Sequence, residues 1–516
     1  MRSGSTRWDW LVWFGLFVVI GALWAVATPR FASPDEPAHV RKAAGTVRLQ
    51  GIGEQVPGQP AWLRTFEIPD AYVEPDPGCF AFDPTITAAC ATLPPLTREN
   101  VAAATSASRY PPVYYVVTGA PTLVIDSYKG VYAMRFASAA LSAAAVASAF
   151  ALAARSRSPK WLRAGVLVAV TPMVAFLAAM VNPNGAEISF FLAGWVALLV
   201  AIERSEYGGR PPWFAAAALF AVGVLMRQLG VVWLLAGAVV TGALVGLPAL
   251  RRILGDTRFR IAAAVLAAAA VLQFAWLAAA NSLGAVNDPR IAIDAPSDTI
   301  IGDVLNASMG NVREMIGRLG WSDVPMPTIT ELVWVIGLGG LIVAALVLSS
   351  RRHAIGLATA LVATWGIPFV LEVKDARVTG YYWQGRYTLP LAVLVPILAT
   401  WVLGRASNDR FPGRLSACIA VGVVVGHVAA FHQALRRYMV GLDGPVSLRD
   451  PEWEPALPAW LLIVAYGAVW SVVCWRALAP TPSLSVGRVL DVQGERADEQ
   501  LDADQERCDP EDRGAR

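Results

Sequence analysis

Apolar runs of about twenty residues recur along this chain, and they constrain its fold more than any other feature. A helix needs about 20 consecutive apolar residues to cross the hydrocarbon core of a bilayer. Charged residues make up only 16% of the 516 residues, whereas soluble domains carry about 25%. The sequence therefore predicts an all-α polytopic membrane protein and excludes an ordinary soluble domain.

The runs predict about twelve transmembrane helices. They cover about 10–28, 131–153, 164–181, 186–202, 212–226, 230–249, 261–280, 331–349, 355–372, 387–404, 415–434 and 458–476. Clusters of Arg and Lys follow every even-numbered span, and such clusters mark cytoplasmic connections. We therefore expect a multi-pass protein of the cytoplasmic (plasma) membrane with both termini in the cytoplasm.

This topology divides the chain into seven stretches. They are a cytoplasmic N-terminus 1–9, the first span 10–28, an external loop 29–130, spans two to seven 131–280, an external loop 281–330, spans eight to twelve 331–476, and a cytoplasmic tail 477–516. The tail is polar and lacks periodic apolar positions, which predicts disorder. Interfacial helices are expected in the first and fourth external loops, at 111–126 and 298–319, because these segments are too short or too amphipathic to span.

The net charge and the cysteine content limit the possible partners and disulfide bonds of the protein. The net charge is only +3 and the basic residues do not form one patch, which excludes a nucleic-acid partner. Cys79 and Cys90 share the first external loop, on the oxidising side, where they could pair or remain two separate thiols.

The ionisable residues near the spans all fall at predicted outer ends: Arg135, Glu187, Arg227, Glu372 and Arg386. A proton-coupled transporter would need carboxylates or histidines at mid-membrane depth, where charges are costly and mark transport pathways. The distribution favours a polar site at the outer membrane face.

The strongest local pattern, Ser-Pro-Asp-Glu-Pro-Ala-His at 33–39, follows the first span. Apolar positions after it recur at helical spacing, which predicts a short basic helix lying on the membrane and meeting lipid phosphates. Asp35 and His39 are four residues apart and can face the same way. A carboxylate fixed there could act as a general base, or Ser33 and Glu36 could simply form a capping box.

At this point the sequence resembles the GT-C superfamily of membrane glycosyltransferases. Members carry an acidic motif just after the first span, where Asp35-Glu36 stands, followed by an element similar to residues 109–115 (Arg-Tyr-Pro-Pro-Val-Tyr-Tyr). The stretches 33–39, 320–325 (Gly-Trp-Ser-Asp-Val-Pro) and 384–387 (Gln-Gly-Arg-Tyr) look like a bacterial branch of predicted membrane proteins, domain of unknown function 2142.

The resemblance implies a GT-C-like bundle and a transferase that takes sugar from a polyprenyl-phosphate-linked donor. The acceptor would be a cell-envelope glycan, lipid or protein on the outer face of the membrane. Such a donor needs an apolar groove in contact with membrane lipid, and cations for its phosphate. A divalent cation, held by the second carboxylate and His39, is a possible cofactor, but no metal ligands are assigned.

Candidate site residues follow from the matched positions. Asp35 is expected to be the general base, with Glu36 as its catalytic neighbour. Substrate-binding roles are expected for His39, Arg109, Tyr114, Tyr115, Arg135, Arg227, Gln384, Arg386 and Tyr387, with Arg386 the first choice for phosphate. The alternative for the arginines is snorkelling at a membrane boundary, and for the tyrosines an aromatic belt.

Two other functions stay open on the sequence. A transporter or lipid flippase is favoured by the number of spans alone. A structural envelope protein would use its outer loops to bind a partner, but it would leave the acidic motif and the 384–387 element without a common purpose.

Overall fold

A computed structural model of the chain describes residues 3–73, 78–207, 209–284 and 291–479. The α-helices are α1 (Ser3–Ala27), α2 (Glu36–Val47), α3 (Val113–Gly119), α4 (Lys129–Ala153), α5 (Pro159–Ala169), α6 (Pro172–Ala179), α7 (Pro183–Glu206), α8 (Trp213–Val224), α9 (Gly230–Gly255), α10 (Thr257–Ala279), α11 (Ser297–Ile316), α12 (Thr328–Leu348), α13 (Arg351–Thr379), α14 (Gly385–Ala392), α15 (Leu394–Ala406), α16 (Gly413–Met439) and α17 (Ala459–Leu478). The predicted disordered tail lies outside the described residues from 480 onward.

The helical membrane architecture predicted from the sequence is confirmed, and helices occupy all twelve predicted spans. Ten helices of the described chain are long and apolar enough to cross a bilayer, with α14 and α15 counted together as Gly385–Ala406. An eleventh span is possible if α5 and α6, which bend by 70° at their junction, are counted as one. The twelfth, α8, has only 12 residues and is shorter than a full crossing requires.

Five short strands, which the helical prediction missed, lie in the two long loops. Strands β1 (Glu54–Gln55), β2 (Arg64–Pro69) and β3 (Asn100–Thr105) form one antiparallel sheet, and β4 (Arg318–Leu319) pairs with β5 (Val324–Pro325). Strands of two to six residues carry too little alternation for the pattern to be recognised in sequence.

The first loop also holds the helix that carries the acidic motif, and its position differs from the prediction. Ten of the twelve residues of α2 are buried, because the helix packs against β2, β3 and α3. Its basic side chains bind backbone carbonyls: Lys42 Nζ donates to Gly51 at 2.9 Å and Arg41 to Ala104 at 2.9 Å. The predicted contact of this helix with lipid phosphates is therefore wrong.

Two other segments do expose apolar side chains as interfacial helices would. In and after α3, the exposed side chains include Val116 and Val124. On α11 they are Ile301, Leu305 and Met309, which lie on one face because they are four residues apart. These segments match the interfacial helices predicted for the first and fourth loops.

The β4–β5 hairpin is tied to the first loop and to α16. The buried Arg437 donates to Asp323 at 2.8 Å and to the carbonyls of Phe80 and Ile86. Trp321 Nε1 donates to the carbonyl of Phe31 at 2.9 Å. The hairpin thereby fixes the chain just before the acidic motif.

Cys79 and Cys90 form a disulfide bond, so the pairing that the sequence allowed is confirmed. The bond closes the small loop whose carbonyls hold Arg437.

Removing this disulfide is expected to lower stability by about 2–4 kcal/mol, because a closed loop restricts the unfolded chain. The Cys79→Ser/Cys90→Ser double variant should melt earlier than wild type in detergent. A reducing agent should lower the melting temperature of wild type and leave that of the variant unchanged. Equal melting temperatures for oxidised and reduced wild type would contradict the prediction.

Candidate active site

Three segments that are far apart in sequence meet at one end of the bundle. Asp35 precedes α2, Ser322 lies in the β4–β5 hairpin, and Arg386 opens α14. Arg386 Nη2 donates to Asp35 Oδ2 at 2.8 Å, and its Nη1 lies 3.5 Å from Ser322 Oγ. We call this end the site end; the far end is where α12 finishes and α16 begins.

Asp35 is the accessible acid of this cluster. Its side chain is 48% exposed, whereas that of Arg386 is 3% exposed. Asp35 has a φ of 59°, Phe31 of 60° and Ser322 of 62°, a left-handed conformation that is uncommon for residues with a side chain. Backbone strain of this kind persists where the surrounding structure enforces it, and it is concentrated at functional sites.

Two carboxylates position the segment that carries Arg386. Glu372, on α13, accepts the N–H groups of Tyr382 at 2.9 Å and Trp383 at 3.1 Å. Glu314, on α11, accepts the N–H of Gly385 at 2.7 Å. The orientation of the Arg386 guanidinium is therefore set from two neighbouring helices.

Arg227 is the second cation of the site. It lies between α8 and α9 and is 12% exposed, with Nη1 3.8 Å from Glu187 Oε2. Its guanidinium lies 4.7 Å from the ring centre of Tyr387 and 5.6 Å from that of Tyr110. Tyr387 also packs 5.0 Å from the guanidinium of Arg386, so the two cations flank one aromatic ring.

His39 and Tyr115 form the inner wall of the site. His39 Nδ1 and the Tyr115 hydroxyl are hydrogen-bonded at 2.8 Å, and both side chains are buried. Burial lowers the pKa of His39 from its usual 6.5 to about 3, against the opposing effect of Asp35, while Arg227 and Arg386 lower it further. His39 is therefore neutral and acts as a hydrogen-bonding group.

This burial predicts a loss of stability in acid. The unfolded chain binds a proton at His39 near pH 6.5, and the folded protein does so only near pH 3. The stabilisation that comes from keeping His39 neutral is complete above about pH 6.5. Below that pH, the free energy of unfolding should fall by up to about 1.4 kcal/mol per pH unit. Melting curves of wild type and His39→Gln across this range should show a smaller slope for the variant; equal slopes would rule out His39 as the cause.

Glu36 and Arg135 have a different role from the one the sequence predicted. Both are fully buried, and Glu36 accepts from Arg135 at 2.6 and 2.8 Å and from the N–H of Val181 at 3.1 Å. Arg135 directs its remaining donors to the carbonyls of Ala25, Thr28 and Pro29. All five N–H groups of the guanidinium are used, so neither residue is available as a catalytic or substrate-binding group; the pair anchors α2 to α1 and α4.

Arg109 and Tyr114 are also scaffold residues. Arg109 donates to the carbonyls of Ala61 and Ala280, which ties the first loop to the end of α10. Tyr114 is fully buried with its hydroxyl 2.9 Å from Ser138 Oγ. The side chains of Arg109 and Tyr114 are therefore held by contacts within the protein, and their substrate contacts stay predictions. Gln384, beside Arg386, has a buried side-chain oxygen without a hydrogen-bond partner.

A divalent cation does not fit the residues that the sequence suggested for it. Both oxygens of Glu36 accept hydrogen bonds, and the Nδ1 of His39 is bonded to Tyr115. Within the described residues no group of three His, Cys, Asp or Glu side chains is arranged to hold a metal ion.

Several residues of the site were not identified from the sequence. Asn182 donates to the carbonyl of Pro34 at 3.0 Å, and Asn184 Oδ1 accepts from Arg227; an Asn-Pro-Asn-Gly segment is by its composition typical of a turn. Arg437 lies at the end of an apolar run, and a charge at that position was a signal of a buried pair. Tyr110 lies within the 109–115 element that carries the resemblance, but only Arg109, Tyr114 and Tyr115 of that element were expected to bind substrate.

Comparison with known proteins gave a family match and distant structural matches. A family model described as "Predicted membrane protein (DUF2142)" matches residues 17–395, and no curated protein matches. The crystal structure of ArnT from Cupriavidus metallidurans in the apo state has 14% sequence identity over 92% of this chain and 77% of that chain, with a TM-score of 0.43.

Proposed function

The chain belongs to the family of predicted membrane proteins described as DUF2142, and on that premise we propose that it is a membrane glycosyltransferase. The donor is a sugar linked to polyprenyl phosphate, and the acceptor is a hydroxyl of a cell-envelope glycan, lipid or protein. The protein lies in the cytoplasmic membrane with both termini inside and the site outside.

One observation carries this proposal. A half-exposed carboxylate, Asp35, is hydrogen-bonded to Arg386 at 2.8 Å, and Arg227 lies against the same Tyr387 ring as Arg386. Glycosyl transfer from a phosphate requires one base for the acceptor hydroxyl and cations for the leaving phosphate. The three side chains supply these groups at one end of the bundle.

The arrangement supports a direct displacement. The donor phosphate takes the N–H groups of Arg386 in place of Asp35, and guanidinium binds phosphate through two parallel hydrogen bonds. The freed Asp35 carboxylate accepts the proton of the acceptor hydroxyl as its oxygen forms a bond to the anomeric carbon. The bond from that carbon to the phosphate oxygen breaks, polyprenyl phosphate leaves, and the configuration at the carbon is inverted.

Mass spectrometry of envelope glycans, glycolipids and glycoproteins from a deletion strain tests the proposal. We expect one sugar modification to be missing and to return with the wild-type gene. Isolated membranes should then transfer that sugar from its polyprenyl phosphate to the acceptor. An unchanged envelope in the deletion strain would overturn the proposal.

The transporter or flippase alternative has no comparable support. Its charged groups would be spread along a path through the membrane. The most buried ion pairs of the described residues, Glu36–Arg135, Asp323–Arg437 and Arg227–Glu187, instead lie around the site end. Lipid flipping in proteoliposomes that persists in an Asp35→Asn variant would favour the alternative.

A further inference from the structure

A second polar cleft lies beside the candidate active site, between α11, α13 and the segment that carries Arg386. Its volume is about 140 Å³, and we call it the α11–α13 cleft. Asp35, Arg227 and Arg386 are not among its lining residues. The proposed function therefore leaves this cleft without a role.

Aromatic rings form one part of the lining. Trp365 and Tyr381 line the cleft, and each side chain is 44% exposed, so a ligand can reach their rings. Trp383 also lines it and is held in place, because its Nε1 donates to Thr388 Oγ1 at 3.0 Å. The face of an aromatic ring carries partial negative charge and attracts the C–H groups that a sugar ring presents.

Hydrogen-bonding groups form the other part. Asp303 accepts the hydroxyl of Tyr381 at 2.8 Å, and Glu372 accepts the backbone N–H groups of Tyr382 and Trp383. A carboxylate has about four acceptor positions, so both acids can accept further hydrogen bonds from a ligand. Asn311 adds an amide that can donate and accept. The lining therefore suits a ligand with several hydroxyl groups.

The charge of the lining selects against anions. None of the described residues that line the cleft is Arg, Lys or His, and two carboxylates repel a phosphate at short range. A small organic cation would be attracted, but both carboxylates already accept hydrogen bonds within the protein, and a cation would leave the acceptor oxygen of Asn311 as its only use for the amide. An uncharged sugar uses the acids, the amide and the rings together.

The cleft shares one wall with the surroundings of the candidate active site. Trp383 lines the cleft, and its ring centre is 6.1 Å from that of Tyr387. Arg386 and Arg227 pack against this same Tyr387 ring. A ligand in the cleft therefore contacts the segment that positions Arg386.

We propose that the α11–α13 cleft binds an uncharged sugar unit of the acceptor. This inference rests on the proposed function and narrows it, because it selects an acceptor that already carries sugar, in a glycan chain or in a glycolipid. The sugar hydroxyls donate to Asp303 and Glu372, and the sugar ring packs against Trp365. The bound unit is a recognition unit, and transfer takes place at Asp35.

Two exposed side chains of the cleft allow a direct test. Trp365→Leu removes an aromatic ring and keeps an apolar side chain. Its matched control is Trp460→Leu on α17, because Trp460 is also exposed and does not line the cleft. Asp303→Asn removes a charge, and Asp298→Asn is its control, because Asp298 is exposed on the same helix and does not line the cleft.

The probes are the methyl glycosides of glucose, galactose, mannose and N-acetylglucosamine, each carrying a diazirine group. They are added to the purified full chain in amphipol, without sugar-based detergent. We expect at least one of them to label α11 or α13 at the cleft. Trp365→Leu and Asp303→Asn should each reduce this labelling about tenfold, equivalent to about 1.4 kcal/mol of binding, with no change in the two controls.

Three results would overturn the proposal. They are no labelling of the cleft by any probe, equal labelling of wild type and both cleft variants, and effective competition by choline or by the 6-phosphate of the labelling sugar. The last result would identify a site for a cation or for an anion. If Trp365→Leu does not fold, the comparison of Asp303→Asn with Asp298→Asn decides.

The octyl glycoside of the labelling sugar distinguishes the two sources of the sugar. Competition about tenfold stronger than that of the methyl glycoside would identify a glycolipid, and equal competition a glycan chain. Labelling requires no sugar transfer, so the two proposals can fail separately. Labelling with an unchanged envelope in the deletion strain would reject only the transferase, and active transfer without labelling would reject only the sugar site in the cleft.

Discussion

The Asp35→Asn variant is expected to fold as wild type does and to lose about 10²- to 10⁴-fold of its transfer rate, the usual contribution of a general base. An amide oxygen can still accept the N–H of Arg386, but it cannot take the proton of an acceptor hydroxyl. Asn also tolerates the left-handed backbone at this position, where φ is 59°. The substitution therefore removes the base without changing the local structure.

Transfer of the sugar missing from the deletion strain is the measurement, with melting temperature as the check on folding. Asp126→Asn is the matched control, because this carboxylate is exposed in the same external loop; it should transfer at the wild-type rate. An Asp35→Asn protein that retains half of the activity would exclude Asp35 as the base.

The second large effect is on stability. Glu36→Ala is expected to cost about 3–5 kcal/mol, because it leaves the fully buried Arg135 without its partner. Replacing both with Met should recover only part of this loss. Arg135 also satisfies the carbonyls of Ala25, Thr28 and Pro29, and these would remain unpaired.

Glu206→Ala provides the comparison, since Glu206 pairs with Arg405 at the far end and both side chains are about one-fifth exposed. Its cost should be about 0–1 kcal/mol. Chemical unfolding in detergent measures both variants. Equal losses for the two would show that Glu36–Arg135 is not the structural pair we describe.

The sequence predicted the helices and the location of the site better than the roles of individual residues. Hydropathy is a local property, so a helix occupies each of the twelve predicted runs, although only ten helices of the described residues are long and apolar enough to cross a bilayer. Positions such as Arg227 and Arg386 were recognised because charges at span ends are rare. Which charge meets which depends on tertiary packing. Glu36 and Asp35 are neighbours in sequence, but one is enclosed by Arg135 and the other is half-exposed, and no local pattern distinguishes them.

The buried position of α2 was missed for a similar reason. Its periodicity correctly predicted a helix, but the same pattern suits a membrane surface and a protein interior. The partners that enclose it are β2 and β3, whose short strands have no clear signal. Arg41 and Lys42 therefore suggested lipid phosphate, although each binds a backbone carbonyl.

The adjacent residues Asp35 and Glu36 also meet their ion-pair partners at different stages of chain synthesis. Glu36 and Arg135 are separated by 99 residues, so the N-terminal helices can lock together while the ribosome is still translating the rest. Asp35 and Arg386 are separated by 351 residues. A nascent chain can therefore complete the buried Glu36–Arg135 pair early, whereas the Asp35–Arg386 pair can form only after residue 386 has been synthesised.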